Sequence, residues 1–535
     1  EKLQAWYDRI AAGLNASPRS TFDLLPGQEL GFDLPEPVTL FTEAGAGVVV
    51  LGKNSGPQGI RFNAANAARV DGITVTGSDN GGGIVASGYA HQLQISNNRV
   101  YSNYGVYGGG IRVGHPGLTN NGVNNNVRIH NNYVAANGGN TGAGGGISIN
   151  WGSNNYQVTS NWICGNFTGG DGGGVAHYGF SNNGLIANNT IIFNQSFQQA
   201  NPVAGGGIFV GGVPGVAGAL TVGTGDVIID ANLIQGNNAG AGNGGGISLA
   251  LVNGEDIGSF TNPNFNNRWH RVDVLNNIIT NNIAGFAGGG ISLQDAARVY
   301  IVNNTIAHND STGTSGEAFD ADPNVSTPHA AGIVSFGHSP TLLDYLAGLP
   351  TNNATQRNNK ARYGWFSNAT MANNIIWENR SFHFAIDTTG ELPALGLVPN
   401  ISAGDPPMYD DMAVYGLSAG VPAGAPTSLT SATSLLTGGG NPAFITPYFN
   451  QAPGQTINEV EATTSIQAQP AFDEGGNFIS IRFGPLTLSG DYHVGAGAAI
   501  NAGSGVGAYQ RLARDIDGET RPRGARVDIG ADESQ

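Results

Sequence analysis

The chain has one cysteine, few charged residues and no long apolar run, and each of these shortages argues against a structural feature or a kind of partner. A single cysteine, Cys164, cannot form an intrachain disulfide. Charged residues make up 11% of the chain and the net charge is −16, which disfavours binding to nucleic acid or to anionic lipid. The sequence contains no run of about 18 apolar residues, so it predicts no transmembrane segment.

Glycine is abundant, with 85 residues, and much of it occurs in a repeated motif of three glycines followed by a branched apolar residue. A second motif, Asn-x-[Ile/Val]-x-x-Asn, alternates strictly with the first. The glycine motif occupies Gly81–Ile84, Gly108–Ile111, Gly144–Ile147, Gly172–Val175, Gly205–Ile208, Gly244–Ile247, Gly288–Ile291 and a degenerate Ala330–Ile333. The asparagine motif begins at Asn98, Asn132, Asn161, Asn189, Asn232, Asn277, Asn304 and Asn374. This alternation indicates one supersecondary unit that is stacked many times.

Apolar residues precede each asparagine motif at alternate positions, as in Leu93 and Ile95 or Val127 and Ile129. This period of two is typical of strands with one buried face, and the connections are too short for crossover helices. The pattern predicts an all-β fold, a right-handed parallel β-helix of about nine or more coils with three short strands per coil. The first asparagines of the motif should stack into a ladder at one corner, where their amides hydrogen-bond along the stack.

We predict four regions along the chain. Residues 1–59 form an N-terminal cap with a short amphipathic helix at 1–14, residues 60–390 form the coils, 391–470 are a Pro/Gly/Ser/Thr-rich excursion, and 471–535 form C-terminal strands and a β cap. The step from glycine triplet to asparagine is enlarged at 112–127, 211–226, 248–271 and 334–368. All four insertions leave the same predicted corner, so we expect them to form one ridge, where solenoids often meet their partners.

The alternating motifs resemble the GGxI and FxxN repeats of chlamydial polymorphic outer membrane proteins, with Ile or Val in place of Phe. The C-terminal sequence, Asp491–Gly503 followed by Arg514–Glu533, resembles the terminus of bacterial secreted right-handed β-helix repeat proteins. The resemblance implies a parallel β-helix and export to the cell surface or the medium. It implies little about chemistry, because that family is functionally diverse.

Outward and corner positions of the strand after each glycine triplet carry aromatic rings, amides and a carboxylate, which suit a sugar-binding groove. The candidate binding residues are His115, Asn150, Trp151, Tyr178, Gln294 and Asp295. The candidate catalytic residues are Asp273, Asp295, His177 and His338, because glycosidase carboxylates can meet across coils. Ordinary coil surface explains the outward residues equally well. For His177, which falls at an inward position, the alternative is a neutral histidine bonded inside the core.

Three acidic residues alternate around Gly518 in the C-terminal region, namely Asp515, Asp517 and Glu519. Carboxylate oxygens at this spacing could bind Ca²⁺. An Asp-Gly sequence also makes tight turns without any metal, and the remaining positions of an EF-hand loop are missing.

These observations favour an exported structural, adhesive or assembly-forming surface protein that binds polysaccharide, other surface proteins or its own copies through the ridge. The alternative is a carbohydrate-active enzyme, a polysaccharide hydrolase or lyase, or a calcium-dependent glycan-binding protein. Residues 1–15 do not have the pattern of a signal peptide, so the expected extracellular or cell-surface location follows from architecture and composition.

Overall fold

The computed structural model describes residues 46–51, 67–78, 81–116, 123–140, 142–198, 201–261, 269–319, 322, 324–387, 394–449, 490–505 and 510–534. These residues form a parallel β-helix of about ten coils in which successive coils pair strand on strand. The predicted fold class is confirmed. The predicted helix at 1–14 and the predicted strands between 472 and 489 lie outside the described residues.

Each full coil contributes a strand to four parallel sheets, which we call A, B, C and D in chain order. Sheet A begins after the glycine triplet and consists of Val48–Leu51, Ile84–Ser87, Ile111–Val113, Ile147–Asn150, Val175–Tyr178, Ile208–Gly211, Ile247–Ala250, Ile291–Gln294, Ile333–Phe336 and Met412–Tyr415. Sheet B precedes the asparagine motif and consists of Arg69–Asp71, Gln94–Ser96, Arg128–His130, Gln157–Thr159, Gly184–Ala187, Val227–Asp230, Val272–Leu275, Val299–Val302, Thr370–Ala372 and Ser431–Ala432.

Sheet C runs through the asparagine motif, and sheet D is a narrow wall of two-residue strands. Sheet C consists of Thr74–Val75, Arg99–Tyr101, Tyr133–Ala135, Trp162–Cys164, Thr190–Ile192, Leu233–Gln235, Ile278–Thr280, Thr305–Ala307, Ile375–Trp377 and Leu435–Leu436. Sheet D consists of Tyr104–Gly105, Gly138–Gly139, Phe167–Thr168, Gln195–Ser196, Asn238–Ala239, Ile283–Ala284, Asp310–Ser311 and Arg380–Ser381. The prediction of three strands per coil therefore missed sheet D.

The predicted asparagine ladder is present and buried. The Oδ1 of Asn132 accepts both the backbone N–H and the side-chain amide of Asn98, each at 3.0 Å, and its own amide continues to Asn161. The same bonds repeat as far as Asn374. The second asparagine of each motif forms a parallel ladder at the next corner, for example between Asn103 and Asn137. Each amide also bonds a backbone carbonyl, so the ladders satisfy corner groups that the sheets leave unpaired.

The interior is filled by the branched residues of the motifs. The inward positions of sheets A, B and C stack Ile and Val residues that are fully buried, such as Ile147, Val158 and Ile163. A Cβ on Gly145 would lie 2.4 Å from the carbonyl oxygen of Phe167 in the next coil, so the middle glycine of this triplet allows close approach of sheet D. The glycine motif thus sets the corner between sheets D and A.

The stack is longer at both ends than predicted. Val48–Leu51, placed in the N-terminal cap by the sequence, is the first strand of sheet A and pairs with Ile84–Ser87. Met412–Tyr415 pairs with Ile333–Phe336, and later segments extend sheets B and C. The coils therefore continue past residue 390, into the range that the sequence assigned to an excursion. Neither glycine triplets nor complete asparagine motifs mark these terminal strands.

The C-terminal residues 490–505 and 510–534 pack against the outer faces of sheets B and C. Ile529 contacts Ile375, and Leu512 contacts Leu275 and Val302. The side-chain amide of Asn303 donates to the carbonyl oxygen of Asp528 at 3.2 Å. The C-terminal segment therefore attaches to the side of the solenoid through its backbone and its apolar residues.

The remaining elements lie outside the four sheets. Two helices, α1 (Pro340–Gly348) and α2 (Ala354–Tyr363), belong to one insertion. Two antiparallel pairs join His383–Asp387 to Ala394–Val398 and Phe444–Thr446 to Asp491–Val494. Short 3-10 turns occur at Val216–Gly218, Gly316–Ala318, Ile401–Ala403 and Gln510–Ala513. Within the described ranges, no helix has the length and apolar character needed to cross a membrane.

Candidate functional site

All four enlarged connections join the end of a sheet A strand to the start of a sheet B strand. They follow Val113, Gly211, Ala250 and Phe336 and return at the next strand of sheet B. Because sheets A and B are each stacked in register, the connections leave one corner of the solenoid. The predicted ridge is therefore present, although residues 117–122 and 262–268 of it lie outside the described chain.

The two longest insertions of the ridge pack on each other. Phe260 and Trp269 of one insertion share an apolar cluster with Leu342, Leu346 and Tyr363 of the other. The ring centroids of Trp269 and Tyr363 are 5.7 Å apart. The amide of Asn359 also donates to the carbonyl oxygen of Phe260 at 2.7 Å. The described residues of these two insertions therefore share one apolar core, and α1 and α2 lie against it.

Helix α2 gives this part of the ridge a local positive charge. It begins with a capping box between Asn353 and Gln356 and carries Arg357, Lys360 and Arg362, with no acidic residue. Arg357 and Arg362 are exposed, while Lys360 is half-buried and donates to the carbonyl oxygen of Ala347. Cations in the last turn of a helix favour its dipole, so part of this pattern supports the helix itself.

The residues predicted to line a groove lie at very different depths. His115, Asn150 and Asp295 are buried, Trp151 and Tyr178 are half-buried, and Gln294 is exposed. The amide of Asn150 donates to Ser148 Oγ at 3.1 Å, and the His115 ring packs edge-on against Tyr107. The three buried side chains are at most 2% exposed, so they present almost no surface in this conformation.

Arg112 is a charged residue on sheet A that was not expected to be buried. It lies between the inward residues Ile111 and Val113, so its side chain points to the outer face of sheet A, yet it is only 3% exposed. Its Nε and Nη2 have no hydrogen-bond partner within the described part of the chain. Burial lowers the pKa of Arg112 to about 10, which leaves the guanidinium charged at neutral pH. A buried charge of this kind is costly unless something neutralises it.

Each candidate catalytic residue is engaged by its own surroundings. His177 is fully buried in the core. Asp295 Oδ1 accepts the backbone N–H of Ser339 at 2.8 Å and lies 3.3 Å from His338 Nδ1, while His338 Nε2 donates to the carbonyl oxygen of Tyr363. The bond from Ser339 attaches the start of the helical insertion to the neighbouring coil, and His338 joins that start to the end of α2. His338 Nδ1 itself has no hydrogen-bond partner in the described chain.

Asp273 belongs to a different wall from Asp295. It lies on the outer face of sheet B and forms an ion pair with Arg271 at 2.7 Å, whereas Asp295 directly follows a sheet A strand. Burial raises the pKa of Asp273 to about 6, and the neighbouring Arg271 acts in the opposite direction. The two carboxylates suggested as a glycosidase pair therefore have separate local roles.

The acidic residues around Gly518 do not converge on one point. Asp515 is buried and accepts the backbone N–H groups of Asp517, Glu519 and Glu533, so it shapes a turn. Glu519 pairs with Arg523 on the surface. Asp517 is the one of the three whose carboxylate faces a histidine, His493.

The outer face of sheet C carries an aromatic column that was not predicted. Tyr133 and Trp162 occupy neighbouring strands in register and are 41% and 37% exposed. The guanidinium of Arg99, one coil earlier, lies 5.6 Å from the centre of the Tyr133 ring. All three residues directly follow the first asparagine of the motif. Because strand residues alternate, this position had to point outward, and the aligned repeats contained that signal.

No family model, curated protein or solved structure matches this chain.

Proposed function

We propose that this protein is a non-catalytic, exported β-helix protein of the bacterial cell surface that binds an acidic polymer through its ridge. The observation that carries the proposal is the apolar core shared by the described residues of the two longest insertions, with the basic helix α2 beside it. A preformed surface binds with a smaller ordering cost than separate flexible loops. The resemblance of the repeats and of the C-terminal sequence to secreted and surface β-helix proteins agrees with the proposed location.

Charge favours an acidic partner for the ridge. The whole chain has a net charge of −16, whereas α2 presents three cations and α1 contributes a single carboxylate, Asp344. An acidic surface polysaccharide is repelled by most of this protein and attracted by α2. Such local complementarity directs a polymer to one face and fixes where it binds.

The engagement of the candidate catalytic residues supports binding without turnover. Asp273 is paired with Arg271, Asp295 holds Ser339, and His177 lies in the core. A glycosidase of the usual type needs two carboxylates that flank a bond in a substrate, about 5 to 10 Å apart. The contacts described above give these carboxylates structural partners instead.

The test compares two matched double variants of the full chain for binding to immobilised polygalacturonate and to neutral dextran. Arg357→Gln/Arg362→Gln removes the exposed charges of α2, and Arg514→Gln/Arg526→Gln removes two exposed arginines of the C-terminal segment. We expect the unmodified protein to bind polygalacturonate and the α2 variant to bind about tenfold more weakly, equivalent to about 1.4 kcal/mol. The C-terminal variant should bind as the unmodified protein does.

Three results would overturn the proposal. Equal loss of binding in both double variants, or no binding by the unmodified protein, would show that α2 does not select an acidic polymer. Release of new reducing ends or unsaturated products from the polymer would show an enzyme. All three are measured on the same samples.

A second candidate function, glycan binding on sheet C, is favoured by the column of Arg99, Tyr133 and Trp162. Strands of one sheet lie about 4.8 Å apart, so in-register rings form a continuous apolar surface on which sugar rings can stack. Farther along the stack, the chain's own Ala531 and Tyr492 cover Ile278 on the same face. The aromatic column thus lies on the part of sheet C that this segment leaves exposed.

This candidate predicts that Tyr133→Ala/Trp162→Ala reduces co-sedimentation of the protein with cellulose. The matched control is Tyr409→Ala, which removes a ring of similar exposure, 37%, from another position. Equal co-sedimentation of all three proteins would exclude glycan binding by the column.

A further inference from the structure

His493 lies in the C-terminal segment and its ring is fixed by a carboxylate. Its Nδ1 is 2.6 Å from Asp491 Oδ1, on the same strand, Asp491–Val494. An ionised carboxylate can only accept a hydrogen bond, so Nδ1 carries the proton. In the neutral ring the other nitrogen, Nε2, then presents a lone pair. This is the arrangement by which a second-shell carboxylate orients a metal-binding histidine.

The Nε2 atom of His493 faces the carboxylate of Asp517, and the carboxylate of Asp532 lies near the same ring. Nε2 lies 3.0 Å from Asp517 Oδ2, but the angles leave it without a hydrogen-bond partner in the described chain. One ligand atom each from His493, Asp517 and Asp532 can be chosen so that all three lie within 4.8 Å of one another. A lone pair close to two negative charges is unfavourable, and a cation bound by the three groups would make the arrangement favourable.

Three separate pieces of chain are held in place around this point. Asp532 Oδ2 accepts the backbone N–H of Val494 at 3.0 Å, which joins the end of the chain to the strand of His493. Asp515 accepts the N–H groups of Asp517 and Glu519 and so positions the turn that carries Asp517. The ligands therefore come from a folded framework, with Asp517 exposed and Asp532 buried.

We propose that His493, Asp517 and Asp532 bind a zinc ion, with Asp491 as the residue that orients His493. One imidazole and two carboxylates are ligands that zinc accepts, and three protein ligands leave a position for water. Zinc ligands at about 2 Å from the ion lie roughly 3 to 4 Å from each other, so small side-chain rotations close the site. Calcium prefers oxygen ligands alone, so the calcium site predicted at Asp515, Asp517 and Glu519 is replaced by one that shares only Asp517 with it.

A zinc ion here would connect the strand Asp491–Val494, the turn at Gly518 and the end of the chain. These pieces belong to the segment that covers sheets B and C. Binding to the folded state alone stabilises that state in proportion to the logarithm of the zinc concentration. The proposal is independent of whatever the ridge binds.

The test uses the full chain after treatment with a chelator that removes bound metal. Zinc binding is then measured by titration calorimetry. We expect one zinc per chain for the unmodified protein and loss of that binding in His493→Ala and in Asp517→Asn. Asp491→Asn, which alters only the orienting residue, should weaken binding about 10- to 100-fold. The control Asp344→Asn, on the exposed side of α1, should bind as the unmodified protein does.

Two readouts separate metal binding from a loss of folding. Cobalt substituted for zinc should give visible absorption bands in the unmodified protein and in Asp344→Asn, and none in Asp517→Asn. Zinc, but not calcium, should raise the unfolding temperature of the unmodified protein. If it binds no zinc, a doubly protonated His493 neutralises the carboxylates and the proposal is wrong. Undiminished binding in folded Asp517→Asn and His493→Ala would likewise place the metal elsewhere and overturn it.

Discussion

The hydroxyl group of Tyr156 lies 2.9 Å from Nδ1 of His177 in the interior of the solenoid. On the other side of the ring, Nε2 lies 2.8 Å from the carbonyl oxygen of Gly179 and 3.1 Å from that of Thr224. Carbonyl oxygens only accept, so Nε2 carries the proton and Nδ1 accepts from the tyrosine. Every polar atom of the neutral ring is thus bonded, as the structural interpretation of His177 requires.

The stability of the protein should therefore fall between neutral and mildly acidic pH because of His177. Burial lowers the pKa of His177 to about 4, from 6.5 in the unfolded chain. Between these values the unfolded state binds more protons, so acid favours unfolding by up to about 3 kcal/mol. Denaturant unfolding at pH 7, 5.5 and 4 measures this loss. His177→Val, which matches Val210 of the next coil, should show a smaller loss over the same range, and equal slopes would contradict the assignment.

Removal of one ladder asparagine should destabilise the coils around it. In Asn161→Ala, the backbone N–H and the side-chain amide of Asn132 both lose their acceptor in a buried corner. Each unsatisfied buried group costs about 1–3 kcal/mol, so the unfolding temperature should fall clearly. Asn358→Ala, on the exposed side of α2, is the control and should change stability little. A similar small effect in both variants would mean that the ladder does not stabilise the fold.

The buried ion pair of sheet D should depend on both partners. Arg380 donates to the two carboxylate oxygens of Asp310 at 2.7 and 2.6 Å, and the two residues are in register on neighbouring strands. Arg380→Met leaves a buried carboxylate unpaired and should cost about 3–5 kcal/mol. Asp310→Ile/Arg380→Met, which continues the apolar Ile283 of the preceding strand, should recover most of that loss. If denaturant unfolding shows that the double variant loses as much as Arg380→Met and Asp310→Ile together, the two residues are not coupled.

Replacement of Arg112 should stabilise the protein. The substitution Arg112→Met keeps a long side chain on sheet A and removes a buried charge with unpaired nitrogens. We expect the free energy of unfolding to rise by about 1–3 kcal/mol. Arg128→Met, at an exposed position of sheet B, should change it by less than about 0.5 kcal/mol. A fall in the free energy of unfolding of Arg112→Met would contradict this expectation.

Most of the fold could be predicted because the repeated motifs act locally. The branched residues after the glycine triplet had to face inward, and Ile147 and Ile208 are fully buried. The asparagines had to stack once the strands were in register, as the bonds from Asn98 to Asn132 show. The ridge followed from the position of the insertions in the motif. Short-range periodicity and parallel register are enough to determine all three features.

Other features depend on contacts between residues far apart in sequence. Sheet D escaped prediction because two-residue strands such as Gly138–Gly139 have no alternating pattern of their own. The terminal coil at Met412–Tyr415 lacks the motifs, and its strand is placed by pairing with the edge strand Ile333–Phe336. The sequence also could not show that Arg112 is buried, since exposure depends on what covers a residue.

The solenoid, its asparagine ladder and the corner from which the insertions leave follow from the amino-acid sequence alone, because every coil repeats the same short-range pattern. Only the tertiary structure brought His493, Asp517 and Asp532 together and packed Phe260 against Trp269. Those residues come from segments that do not repeat, and their neighbours are selected by how the C-terminal segment and the ridge fold onto the coils. The proposed zinc site and the proposed binding surface of the ridge therefore lie in segments that do not repeat.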